Sequence, residues 1–310
     1  MKIFKRVVKS TLRLMLGVFL AGSLETNASS TIKFAVIGDY GEYDEDSGMP
    51  HHSNTDVAML IKSWDPDFIV TTGDNNYPKG EQETIDINVG FLYSAYIYPY
   101  TGRYDQPVIT QNRFFPCLGN HDFDTGNAQP YLNYFTMPEL GNKYYYEFVR
   151  GDVHFFALCS DERGPNIADQ LTWLEEKVKH SESPWKIVYF HHPAYSSEIL
   201  APSRYRIHRY EKNQERKIHA PFSEWGVSAV LNSHIHVYER FMIDGIPYIT
   251  CGLGGGKVFY EFCDANPDPE SIRRFTGEYG AIQVEATDRE LSFKCITILG
   301  EVIDEITMIK

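Results

Sequence analysis

Five apolar runs in this chain break off at residues that can bind a metal ion. Thr31 onward closes on Gly38-Asp39, and Asp67-Phe68-Ile69-Val70-Thr71-Thr72 closes on Gly73-Asp74. Arg113-Phe114-Phe115-Pro116-Cys117-Leu118 ends in Gly119-Asn120-His121-Asp122. Trp185 onward ends in His191-His192, and Ser228 to Asn232 leads into Ser233-His234-Ile235-His236. Short runs rich in β-branched and aromatic residues read as buried strands, and the glycines mark their ends. Between them lie helical periodicities: Asn54 to Trp64, with Val57, Leu60 and Ile61 on one face, and Ile167 to His180, with Leu171, Leu174 and Val178 inward. Strands alternating with helices to about residue 225 predict a parallel sheet with helices packed on it. The carboxyl ends of parallel strands share one edge, so the five termini are expected to converge.

The donors at that edge are two carboxylates (Asp39, Asp74), a phenol (Tyr77), a carboxamide (Asn120) and three imidazoles (His191, His234, His236). His234 and His236, two apart, point the same way if locally extended. The set exceeds one tetrahedral site and suits two metals that share a bridging carboxylate. No Gly-x-Ser-x-Gly elbow is present, which argues against a Ser-His-Asp hydrolase. Gly252-Leu253-Gly254-Gly255-Gly256-Lys257 lacks the spacing and the Ser or Thr of a phosphate loop; a tight backbone crossing near the metals accounts for it better.

These residues resemble the calcineurin-like metallophosphoesterases, and within them the purple acid phosphatases. The resemblance rests on Gly38-Asp39-Tyr40-Gly41, Gly73 to Tyr77, Gly119 to Asp122, Val188 to His191 and Ser233 to His236, in that order, and covers roughly residues 31 to 260. Tyr77 favours the purple acid branch. The resemblance implies ferric iron at Asp39, Tyr77 and His236. It implies a divalent ion (Fe, Zn or Mn) at Asn120, His191 and His234, with Asp74 bridging. It implies a binuclear phosphatase that hydrolyses phosphate monoesters by attack of a metal-bound hydroxide. The alternative is a phosphodiesterase or nucleotide-processing hydrolase of the same fold. His121 resembles the histidine that stabilises the transition state or protonates the leaving group, with Asp122 orienting it. Two departures stand out: Ser233 replaces the usual glycine, and no histidine follows His191 at the spacing of the family's second substrate-facing one. His192, His208 and His219 are the candidates to replace it.

The remaining features bound the setting. A formal charge of −13, with no basic tract after residue 13, argues against nucleic-acid partners, and the resemblance implies a small phosphate ester as the substrate. Lys2, Lys5, Arg6, Lys9 and Arg13 precede the apolar Leu14 to Ala21 and then small residues, the pattern of a signal peptide over residues 1–29. Candidate cleavage points fall after Ser23 and near Ala28. The apolar run is too short for an ordinary transmembrane helix, with an uncleaved membrane anchor as the alternative reading, so the chain is expected to be exported, periplasmic or secreted, with one catalytic domain over 30–310. Five cysteines without regular spacing read mostly as buried thiols. Glu83 to Tyr96 reads as a helix, Tyr144 to Ser160 as a hairpin turning at Gly151-Asp152, and 194–222 as a charged loop with some helix. Strand-like runs from Phe241 to Ile309 add antiparallel pairs. The fold class is therefore α/β: two stacked mixed β-sheets flanked by helices.

Overall fold

The computed structural model describes residues 31–44, 46–105, 107–138, 142–197, 199–202, 207–210, 218–257, 259–263 and 268–310. The expected signal peptide lies outside them, as do the His208 side chain and much of the charged stretch after Pro202.

Two mixed sheets carry the chain. The first has six strands in the order Val302–Ile309, Glu290–Thr297, Gly280–Ala286, Ile32–Ile37, Phe68–Thr71 and Phe114–Pro116. The last three run parallel, with Phe34 beside Phe68 and Ile69 beside Phe114, while the C-terminal strands pair antiparallel. The second has seven, ordered Ser271–Phe275, Tyr238–Ile243, Ile246–Cys251, Ala229–Asn232, Trp185–Tyr189, Val153–Ala157 and Tyr146–Arg150. Its four middle strands are parallel.

Alternation explains the layering. Phe34 and Val36 face the space between the sheets, whereas Ala35 and Ile37 face outward under helices. Both sets are buried, as expected of strands covered on two faces. Phenylalanines from the two sheets interlock: Phe34 lies edge-on to Phe155 at 5.1 Å, and Phe115 stacks on Phe148 at 3.9 Å. Such pairs add about 0.5–1.5 kcal/mol beyond area burial. A clamp also crosses the gap, with Arg240 donating to both carboxylate oxygens of Asp304 (2.6 and 3.0 Å) and Tyr238 donating at 2.7 Å. The helix His52–Ser63 covers the first sheet, and Ile167–His180 covers the second.

Three details differ from the sequence reading. The segment Glu83–Tyr96 is not one α-helix: Gln82–Ile85 passes into a π-turn at Asp86–Gly90, then a short α-turn and a 3₁₀ turn. The stretch 194–222 is not only loop, because Ile199–Pro202 and Ile207–Tyr210 pair antiparallel and Glu261–Phe262 joins them. In the helix Ile167–His180 the buried set is Gln170, Leu174 and Val178, with Leu171 only half-buried. Gln170 is tolerated inside because its amide exchanges two hydrogen bonds with the Cys159 backbone at 2.9 Å. The cysteines agree with the reading: all five are free thiols, four of them buried.

Candidate metal centre

The five strand ends do meet, on the carboxyl edge shared by the two sheets. Three of the residues there hold left-handed backbone: Asp39 (φ 55°), Asp74 (φ 52°) and His234 (φ 69°). Non-glycine residues rarely adopt this region, and when they do it often marks a functional site. Here the turn swings each residue off its strand direction and into the cleft. The glycine run passes directly against it. Gly254 N–H donates to the Gly38 carbonyl at 3.1 Å and Gly256 N–H to the Asp39 carbonyl at 2.9 Å. A Cβ on Gly256 would come within 2.6 Å of the His236 ring, so the expected backbone crossing is what the segment forms.

One group consists of Asp39, Tyr77 and His236. The Tyr77 hydroxyl donates to Asp39 Oδ1 at 3.1 Å and to Asp74 Oδ2 at 3.0 Å, and lies 3.3 Å from His236 Nε2. His236 Nε2 is 3.4 Å from Asp39 Oδ1. The other group consists of Asn120, His191 and His234. His191 Nε2 is 3.1 Å from Asn120 Oδ1, 3.2 Å from His234 Nδ1 and 3.2 Å from Asp74 Oδ2. Asp74 thus touches both groups through one oxygen. Its other oxygen accepts the His121 backbone N–H at 2.8 Å.

The chemistry of these donors fits metal ions. His191 Nδ1 lies 2.9 Å from the Thr72 carbonyl and so carries a proton, which turns Nε2 inward. Nε2 then faces a carboxylate, a carbonyl oxygen and another imidazole nitrogen, all of which are lone-pair donors. Something positive must sit among them. In metal-free protein a proton takes that part: burial opposes charge on His191, but Asp74 overcomes it and lifts the imidazole to about 9. Asp74 in turn is held far below the usual carboxylate range, because His191 outweighs the cost of burial. Burial and the crowding of His191 lower His234 to about 3, which leaves it neutral, the form that ligates. Burial, with Asp39 and Asp74 alongside, keeps the Tyr77 phenol protonated until a cation offsets them. Asp74, His191 and His234 can present ligand atoms all within 4.8 Å of one another.

His121 stands on the rim with 33% of its side chain exposed, its Nδ1 2.6 Å from the Pro78 carbonyl and its Nε2 3.9 Å from Asp74 Oδ2. Asp122 does not orient it. The 3₁₀ turn His121–Phe123 points Asp122 inward, where its carboxylate accepts from Gly119 N at 2.8 Å and from the Asn75 side chain at 2.9 Å. The Pro78 carbonyl fills the orienting place, and Asp124 lies 3.8 Å away. Asp122 instead ties the strand end Gly119 to the turn at Asn75. Ser233 does more than fit: its hydroxyl donates to the Thr72 carbonyl at 2.7 Å, beside His191.

Of the candidate replacement histidines, His192 is buried, with Nδ1 2.8 Å from the Ser160 hydroxyl and its ring 4.5 Å from His234. It is buried against the ring of a site residue. His219 accompanies Tyr195, whose ring lies on the outer face of the second sheet. The sequence reading missed Arg163, which donates to the Asn120 carbonyl at 2.7 Å while pairing with Asp124 and with both oxygens of Asp161.

This fold and edge cluster agree with the comparisons. The sequence profile of the calcineurin-like phosphoesterases matches residues 32–238, and the chain belongs to that family. Within it the chain is similar to purple acid phosphatases. It is 27% identical over 270 residues to purple acid phosphatase 13 of Arabidopsis thaliana, covering 73% of this chain and 47% of that one. It is 24% identical over 307 residues to a phosphoenolpyruvate phosphatase of Allium cepa, covering 87% and 58%. The chain spans about half the length of these relatives. The purple acid phosphatase from yellow lupin (Lupinus luteus) seeds shares the fold, with a TM-score of 0.67, 18% identity, and coverage of 91% of this chain and 54% of that one.

Proposed function

We propose that the chain is a phosphatase that hydrolyses phosphate monoesters at a two-metal centre. Asp39, Tyr77 and His236 hold one ion, ferric iron; Asn120, His191 and His234 hold a divalent one; Asp74 bridges. The observation that carries this reading is the shared oxygen of Asp74, within 3.0 Å of Tyr77 and 3.2 Å of His191. When bound, the ions supply Lewis-acid activation of water and of the phosphoryl oxygens. Everything else falls to the chain. Asp74 and Asp39 set the local charge, and the buried walls exclude bulk water. His121, with Nδ1–H committed to Pro78, turns Nε2 toward the cleft, the atom from which a proton can pass to the departing oxygen. The relatives named phosphatases support the reaction class. The charged and apolar pattern of residues 1–29 supports export to the periplasm or medium.

Recombinant protein loaded with both metals should hydrolyse a simple aryl phosphate between acidic and neutral pH. It should also show a phenolate-to-iron band in the visible. Inactivity at full metal occupancy overturns the reaction, and an active, colourless, iron-free enzyme overturns the ferric assignment. A higher rate on an aryl diester than on the monoester would favour the phosphodiesterase reading.

A further inference from the structure

The π-turn at Asp86–Gly90 is the least regular part of the helical layer, and one of its side chains reaches the metal centre indirectly. Asn88 is fully buried. Its amide donates to Asn76 Oδ1 at 2.8 Å and to the Tyr77 carbonyl at 3.1 Å. Both N–H groups are spent, while Oδ1 has no partner among the described residues. The side chain therefore serves through its donors. Asn76 is also anchored, its amide donating to the Glu81 carbonyl at 2.8 Å and its Oδ1 accepting from Thr84 at 2.9 Å. Two residues earlier the turn is pinned on its other side, where Asp86 accepts from the Tyr100 and Tyr134 hydroxyls at 2.7 Å and from Arg103 N at 3.0 Å. A π-turn inserts one residue into the helix and rotates the residues after it, and such turns cluster at functional sites.

We infer that Asn88 is a positioning residue for Tyr77: the π-turn, held outside by Asp86, presents the Asn88 amide to the Asn76–Tyr77 backbone and so fixes where the phenol enters the cluster. This rests on the two-metal reading above. Tyr77 has no other anchor of its kind among the described residues. Its N–H donates to the Gly41 carbonyl at 3.0 Å, its hydroxyl belongs to the metal centre, and Asn88 is the side chain that holds its carbonyl.

The test compares Asn88→Ala and Asn88→Asp with Tyr134→Phe, which loosens the same turn on the side away from Tyr77. Iron-loaded proteins are read by the position and intensity of the visible band per bound iron, with iron affinity from competition with a chromogenic chelator and thermal midpoints alongside. We expect both Asn88 variants to shift or weaken the band and lose about tenfold or more in iron affinity. Tyr134→Phe should lower the thermal midpoint but leave both readings at wild-type values. Asn88→Ser, which keeps one donor, should fall between and serves if the larger changes do not fold. A wild-type band and affinity in folded Asn88→Ala overturns the inference, as does a spectral change in Tyr134→Phe that scales with its midpoint. If wild-type protein binds iron without the band, the ferric-phenolate assignment fails separately. The affinity comparison between Asn88→Ala and wild type, repeated with zinc, then decides the role of Asn88.

Discussion

Replacing Arg163 with methionine separates a residue that stabilises the fold from one that shapes the site. The guanidinium spends four contacts of 2.7–2.9 Å: two on Asp161, one on Asp124 and one on the Asn120 carbonyl. Its side chain is 42% exposed, so its charge pairs are worth about 1 kcal/mol or less each, and the methionine stem keeps its packing over Phe123. Loss of stability should therefore stay near 1–2 kcal/mol. The effect on the site should be larger. The Asn120 carbonyl loses its donor, and the residue whose Oδ1 sits 3.1 Å from His191 is no longer fixed. Outer partners of ligands typically contribute about 10–100-fold in metal affinity. We expect a loss in that range for the ion held by Asn120, His191 and His234, and little change for the ion beside Tyr77. Metal-free protein titrated against a chromogenic chelator, with urea unfolding in parallel, measures both. Arg163→Lys should restore the affinity only in part, because a point charge cannot fork across four acceptor atoms. An affinity within about twofold of wild type, or an equal loss for both ions, would refute the reasoning.

Other outcomes rest on the same geometry. His121→Ala should lower kcat about 10²–10⁴-fold at unchanged metal content, with the deficit shrinking for leaving groups that need no proton; steady-state kinetics on aryl phosphates of graded acidity read this. Tyr77→Phe should bleach the visible band of iron-loaded protein, and a retained band would assign the colour to another ligand. Asp304→Leu breaks a buried pair and should cost about 3–5 kcal/mol in urea unfolding, while the triple change Tyr238→Phe, Arg240→Met, Asp304→Leu should recover most of it. The Asp304 contribution is also pH-dependent. Burial alone would raise its pKa, but Arg240 and Tyr238 overcome that and hold it below the ordinary value. A folded pKa below the unfolded one gives stability that is present above the unfolded pKa, near 4, and lost as pH falls through the folded value. The gap between wild type and Asp304→Leu should therefore narrow on acidification, and a gap that widens would contradict the assignment.

The strand ends were legible because each apolar run stops abruptly at a polar residue, and parallel strands leave no choice of edge. Two stacked mixed sheets could be inferred from the helix–strand alternation and the late hairpins. What escaped was set by single-residue geometry. Asp122 sits next to His121 in sequence, but a 3₁₀ turn sends neighbouring side chains to different sides, so adjacency did not mean contact. The π-turn at Asp86 leaves the apolar pattern nearly unchanged and shows only in the backbone. Gln170 reads as a surface residue until the Cys159 backbone groups that it pairs are known. Arg163 lies more than 40 residues from Asn120, and no local motif links them.

The left-handed backbone at Asp39, Asp74 and His234 governs how the site can be lost. Alanine at any of the three would remove a donor and also add strain of about 1–2 kcal/mol, so an alanine scan would mix loss of metal with loss of fold. Asparagine and glycine accept that conformation readily. Glycine removes the donor without adding that strain, while asparagine at Asp39 or Asp74 removes the charge but keeps a carbonyl donor. A variant meant to empty the site while keeping the shape should carry Gly at these three positions.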